Sequence, residues 1–126
     1  MVSVDTNVLV RITAQDSPQQ YAASEEFISR NAWVSHVVLV ETIWVLGSSY
    51  NRTHAHLVHA IEILLSHENL ILQEDDVVRA ALAHFKANPR LGFSDCMILE
   101  IARKAGHLPL GTFDRGLAKL GGAQKI

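Results

Sequence analysis

Four carboxylates sit in apolar surroundings where solvation alone does not account for them. Asp5 follows Val2-Ser3-Val4 and precedes Val8-Leu9-Val10. Glu41 lies inside the run Val37 to Leu46, and its helical neighbours at three and four positions are Val37, Val38, Trp44 and Val45. No Lys or Arg occurs between Arg30 and Arg52, so Glu41 has no local cation. Asp95 opens the apolar stretch Cys96-Met97-Ile98-Leu99, and Asp114 closes Thr112-Phe113. A buried carboxylate without a partner shifts its pKa or finds a cation. Several facing one pocket repel one another unless a metal sits between them, and an all-oxygen set suits Mg²⁺ or Mn²⁺ rather than zinc. The plainer reading is that an Asp at a helix start is an N-cap and that Glu41 pairs with a distant Arg. That reading has to hold four times over.

The elements that must position these acids are short. Strands are expected at Val2–Val4, Trp33–Ser35, Leu70–Leu72 and Leu110–Thr112, with a weaker fifth at Ala123–Ile126. Helical spacing fills the intervals. One segment begins at Ser17-Pro18, within a first helical region spanning Thr13 to Arg30. Further helices are expected over Val37–Ser48, over His54–His67 capped by Thr53, and from Asp75 or Asp76 through Phe85. Cys96–Ala105 opens at Ser94 or Asp95 and ends at Gly106, and a short helix runs from Asp114 through Leu120. Strands alternating with helices imply an α/β fold, a parallel sheet with helices on both faces. Asp5 and Asp114 then fall at carboxyl ends of strands, the edge where open α/β sheets place their sites. Asp95 and Glu41 begin or occupy helices able to reach that edge.

With 126 residues, 48% of them hydrophobic and 19% charged, the chain suits one domain over 1–126 with a sizeable core. Cys96 is the sole cysteine, so no intrachain disulfide exists and a reducing, cytoplasmic setting is expected. No targeting segment is visible, and the run Val37–Leu46 is too short to span a bilayer. The net charge of -2 argues against a general nucleic-acid coat. Setting aside the four acids leaves nine against eleven Lys and Arg, a mildly basic remainder.

Read as motifs, Val4-Asp5-Thr6-Asn7-Val8-Leu9-Val10, Val40-Glu41-Thr42-Ile43-Trp44-Val45-Leu46, Phe93-Ser94-Asp95-Cys96-Met97-Ile98 and Leu110-Gly111-Thr112-Phe113-Asp114 are similar, in order, to the four motifs of the PIN-domain ribonucleases. The resemblance is strongest to the VapC toxins of toxin–antitoxin modules, and it covers nearly the whole chain. It implies a three-layer α/β/α sandwich around a central parallel sheet of about five strands. It also implies metal-dependent endonucleolytic cleavage of RNA, inhibiting translation. Carried over, Asp5, Glu41, Asp95 and Asp114 are the catalytic and metal-binding acids, with Mg²⁺ as cofactor and Mn²⁺ able to substitute. Asn7 and Thr112 match supporting polar positions. The implied partners are an RNA substrate, a VapB-like antitoxin whose tail blocks the site, and a second copy in a homodimer. DNA enters only through the antitoxin, and no membrane is involved.

Among the basic residues Arg11, Arg52, Arg90, Arg103, Lys104, Arg115 and Lys119, the pair Arg115 and Lys119 is favoured for RNA contact. They are expected one helical turn apart beside Asp114. His54, His56 and His59 are read as a solvated helix face, Cys96 as a buried small hydrophobe, and Leu39, Val40, Ile43 and Trp44 as core. Alternatives are an RNA-processing nuclease of the same family and an inactive binding module. A phosphoacceptor receiver domain is a further one, but Leu70-Ile71-Leu72-Gln73 ends without the acid it needs.

Overall fold

A computed structural model describes residues 1–126, and no helix in it is long and apolar enough to cross a membrane. The chain divides into two compact units, Met1–Asp75 and Asp76–Ile126.

In the first unit β1 (Val2–Ser3), β2 (Ala32–Val34) and β3 (Leu70–Leu72) form a parallel sheet in the order β1-β2-β3. Its helices are α1 (Thr6–Ala14), α2 (Pro18–Phe27), α3 (His36–Ser48) and α4 (His54–Ser66). Each begins at a side chain that accepts an otherwise orphaned backbone N–H: Asp5, Ser17, Ser35 and Thr53 respectively. The strands alternate as their period of two requires. Ala32, Val34, Leu70 and Leu72 are buried, while the register partners Trp33 and Ile71 stand on the other face, partly exposed. Leu9, Val10 and Ile12 of α1, Leu39, Ile43 and Leu46 of α3, and Ile61 and Leu64 of α4 supply the remaining core.

The second unit holds most of α5 (Asp75–Ala87), then α6 (Phe93–Ala105), β4 (Leu110–Thr112), a 3₁₀ turn over Leu117–Lys119 and β5 (Ala123–Lys125). β4 and β5 pair in parallel. Phe85 and Phe93 meet edge to face with centroids 5.7 Å apart. Polar links fasten the same two helices: Lys104 to Asp76 at 2.8 Å, and His84 to Glu100 at 3.1 Å.

The α/β class and the parallel pairing agree with expectation. The five strands do not form one continuous ladder, however, but sets of three and two. The expected helical region from Thr13 to Arg30 is interrupted: α1 already starts at Thr6, and Gln15 breaks it in a left-handed conformation at φ 51°. The second strand starts and ends one residue earlier than expected, because Ser35 serves as the cap of α3. The helix foreseen from Asp114 to Leu120 shrinks to the 3₁₀ turn, which leaves Arg115 outside it; Arg115 and Lys119 do not share a helix.

Candidate functional site

Three of the four acids contradict the expectation of burial. Asp5, Glu41 and Asp114 are exposed, and Asp95 is half-buried. The misreading of Glu41 has a clear origin, since its apolar neighbours Val37 and Trp44 are themselves exposed, at 76% and 68%. Leu39 and Ile43 are core as expected, whereas Trp44 is not.

In the first unit the carboxyl end of β1 runs into α1 through Asp5. Its Oδ1 accepts the Val8 N–H at 3.3 Å, so the N-cap reading is right for this residue, and it leaves the second oxygen outside the cap. The next residue, Thr6, donates its hydroxyl to Glu41 Oε1 at 2.5 Å. That bond ties the start of α1 to the middle of α3 and fixes the orientation of a carboxylate that no cation holds. Asn7 is exposed one residue further on. Beside them lies an open groove of about 440 Å³ lined by Ser3, Val4, Asp5, Val8, Phe27 and Val38.

In the second unit Asp95 falls in the first turn of α6 but does not cap it. The N-cap is Gly92, with no side-chain hydrogen bond. The Asp95 carboxylate is therefore not consumed by the helix end, and the capping explanation fails here. Its pKa is pushed up, first by burial and then by the charge of Asp114. Asp114 is held in place: its Oδ1 accepts the Leu117 N–H at 2.8 Å, and its own N–H donates to Thr112 Oγ1 at 3.0 Å. Thr112 thus fixes the turn that presents Asp114. Gly116 permits the close approach, since a Cβ there would lie 3.2 Å from Asp114 Oδ1 and 3.1 Å from Leu91.

The donor chemistry fits a divalent ion. Carboxylate oxygens are hard donors of the kind Mg²⁺ takes, and the opposition of burial and the Asp114 charge to the Asp95 carboxylate is a cost that a cation would offset. No three His, Cys, Asp or Glu side chains stand together as a ready-made cage, the helix-borne histidines His54, His56 and His59 included.

Several cations suggested for RNA contact are committed elsewhere. Arg11 bonds Asp16 and the Tyr50 hydroxyl, Lys104 bonds Asp76, and Arg103 bonds Glu100 and the Gly121 carbonyl. Arg115 and Lys119 are exposed. The sequence reading missed the chain's one buried acid, Glu100, 6% exposed, which His84 and Arg103 compensate. The Arg103 spacing at i+3 was a usable signal; the His84 partner, sixteen residues away, was not. His36 begins α3, where it is buried and its Nε2 lacks a hydrogen-bond partner. Cys96 is fully buried, with a thiol pKa of about 11, raised first by burial and then by Asp95.

No curated protein sequence matches the chain significantly. A family comparison matches residues 2–123 to the PIN domain, whose members are generally nucleases dependent on divalent metal ions. The match takes in both compact units and all four acids, and the chain belongs to the PIN domain family.

Proposed function

We propose that the chain is a Mg²⁺-dependent endoribonuclease acting as the toxin of a type II toxin–antitoxin pair, a VapC-like protein that arrests translation by cutting RNA. The observation that carries the nuclease reading is that Asp95, half-buried in the first turn of α6 and not used as its cap, is opposed by burial and by the charge of Asp114, which itself stands on a turn braced by Thr112 and Leu117. Asp5, Glu41, Asp95 and Asp114 are the residues assigned to hold the ion. The chemistry that a bound Mg²⁺ supplies is ionisation of water near neutral pH and neutralisation of charge on the scissile phosphate. Thr6 keeps Glu41 oriented, and Asp5 presents its uncapped oxygen. Asn7 offers an exposed amide to a phosphate oxygen, and Arg115 and Lys119 offer charge to the RNA backbone.

The toxin assignment rests on the four-motif resemblance. The groove beside Asp5, with Phe27 54% exposed at its wall, suits an apolar segment of an antitoxin that would block the site. A second copy is assigned to the exposed apolar side chains Val37 and Trp44 of α3. Induction of the wild type beside Asp5→Asn, with RNA 5′ ends mapped and a cognate antitoxin co-expressed, tests this reading. Growth arrest relieved by the antitoxin and absent from the variant is expected. Cleavage without arrest would point instead to an RNA-processing nuclease.

A further inference from the structure

Phe113 is the most exposed of the large hydrophobic side chains, at 79%, and it lies between Thr112 and Asp114. Its exposure is not that of a loose loop. On its amino side the Thr112 carbonyl accepts the Ile126 N–H at 3.0 Å, and Thr112 Oγ1 accepts the Asp114 N–H across Phe113 itself. On its carboxyl side Asp114 is fixed twice, by Leu117 N–H to its side chain and by Ala118 N–H to its carbonyl at 3.0 Å. The phenyl ring is therefore carried on a braced turn that forgoes the burial available to an aromatic side chain.

The ring's chain neighbours decide what it suits. Thr112, Asp114 and Arg115 are polar or charged, and Arg115 and Lys119 are exposed. A protein interface wants a contiguous apolar patch around its aromatic anchor. Ile126, exposed at the end of the adjoining strand and bonded through its N–H to the Thr112 carbonyl, is one apolar neighbour and not such a patch. A rigid aromatic face with cations nearby in the chain is what single-stranded nucleic acid uses, the bases stacking on the ring while the backbone follows the positive charge. We infer that Phe113 is a stacking platform for an unpaired nucleobase of the RNA, positioning the strand next to Asp114. This inference rests on the nuclease reading for its substrate.

The test compares the full-length wild type with Phe113→Ala and Phe113→Trp. The probes are a single-stranded RNA 12-mer and the same strand carrying abasic residues. Binding is measured in EDTA and cleavage separately in Mg²⁺. Loss of one stacked base predicts that Phe113→Ala weakens binding of the normal strand about tenfold. Binding of the abasic strand should stay unchanged, and Phe113→Trp should keep wild-type affinity. Equal loss on both strands, or no loss on either, overturns the inference. So does unchanged RNA affinity with an altered sedimentation mass, which would make Phe113 a protein contact. Wild-type cleavage with no stacking effect leaves the nuclease reading standing and removes this one. A stacking effect without cleavage by any form does the reverse.

Discussion

At the scale of single residues, location within a helix turn separates acids that the sequence presents alike. Asp5 and Asp95 both open helical stretches, yet Asp5 is a cap and Asp95 is not. Asp5→Ala should therefore cost about 1 kcal/mol through the lost cap, while Asp5→Asn keeps a capping oxygen and melts near the wild type. Asp95→Asn is expected to behave in the opposite way. It removes a charge that burial and Asp114 both oppose, so the metal-free variant should melt a few degrees above wild type by calorimetry. A lower melting temperature would remove the claim of crowding. Glu100 differs again. It is buried between His84 and Arg103, and Glu100→Ala leaves both without their anion, for an expected loss of about 2 kcal/mol in urea unfolding. Cys96 completes the set: with its thiol pushed up to about 11 inside the core, it should resist disulfide reagents in the native protein and react fully once unfolded.

At the scale of elements, strand and helix positions followed the sequence closely where caps and breakers are local. Ser17, Thr53 and Gly106 mark real helix ends, and Leu70–Leu72 and Leu110–Thr112 are strands with the expected bounds. What depended on distant partners was not legible. The exposure of Trp44, the His84–Glu100 bond and the latch of Arg11, Asp16 and Tyr50 all join residues that no local pattern connects. The four acids were singled out on an expectation of burial that three of them do not meet. Apolar neighbours suggested burial, but Val37 and Trp44 beside Glu41 and Phe113 beside Asp114 are themselves exposed, and Asp5 reaches the surface although Val4, Leu9 and Val10 next to it are buried. Two inter-element latches predict the acid limb of stability. Asp16 is held below its ordinary value of 3.8 chiefly by the Tyr50 hydroxyl and then Arg11, and Asp76 likewise by Lys104. A depressed carboxylate adds stability that is present above the ordinary value and is lost as pH falls through the folded one. Melting temperature should therefore decline below about pH 4. Asp76→Asn should lower it at neutral pH and flatten that decline. An unchanged acid limb in the variant would contradict the latch.

At the scale of the whole molecule, the net charge of -2 leaves nine acids against eleven Lys and Arg once the four motif acids are set aside, a balance that accords with the proposed RNA substrate and not with a general nucleic-acid coat. If the four acids hold a divalent ion, binding to the native state alone stabilises it by mass action. Mg²⁺ should then raise the melting temperature of the wild type, reversibly with EDTA, and should leave Asp95→Asn unmoved. The central claim is that Asp5, Glu41, Asp95 and Asp114 make this PIN domain a metal-dependent ribonuclease. It is met most directly by incubating purified wild type and Asp5→Asn with total RNA, with and without Mg²⁺. The account predicts discrete cuts by the wild type in Mg²⁺, none in EDTA, and none by a variant whose circular dichroism and melting temperature match the wild type. Undiminished cutting by the folded variant, or cutting that EDTA does not stop, would contradict it.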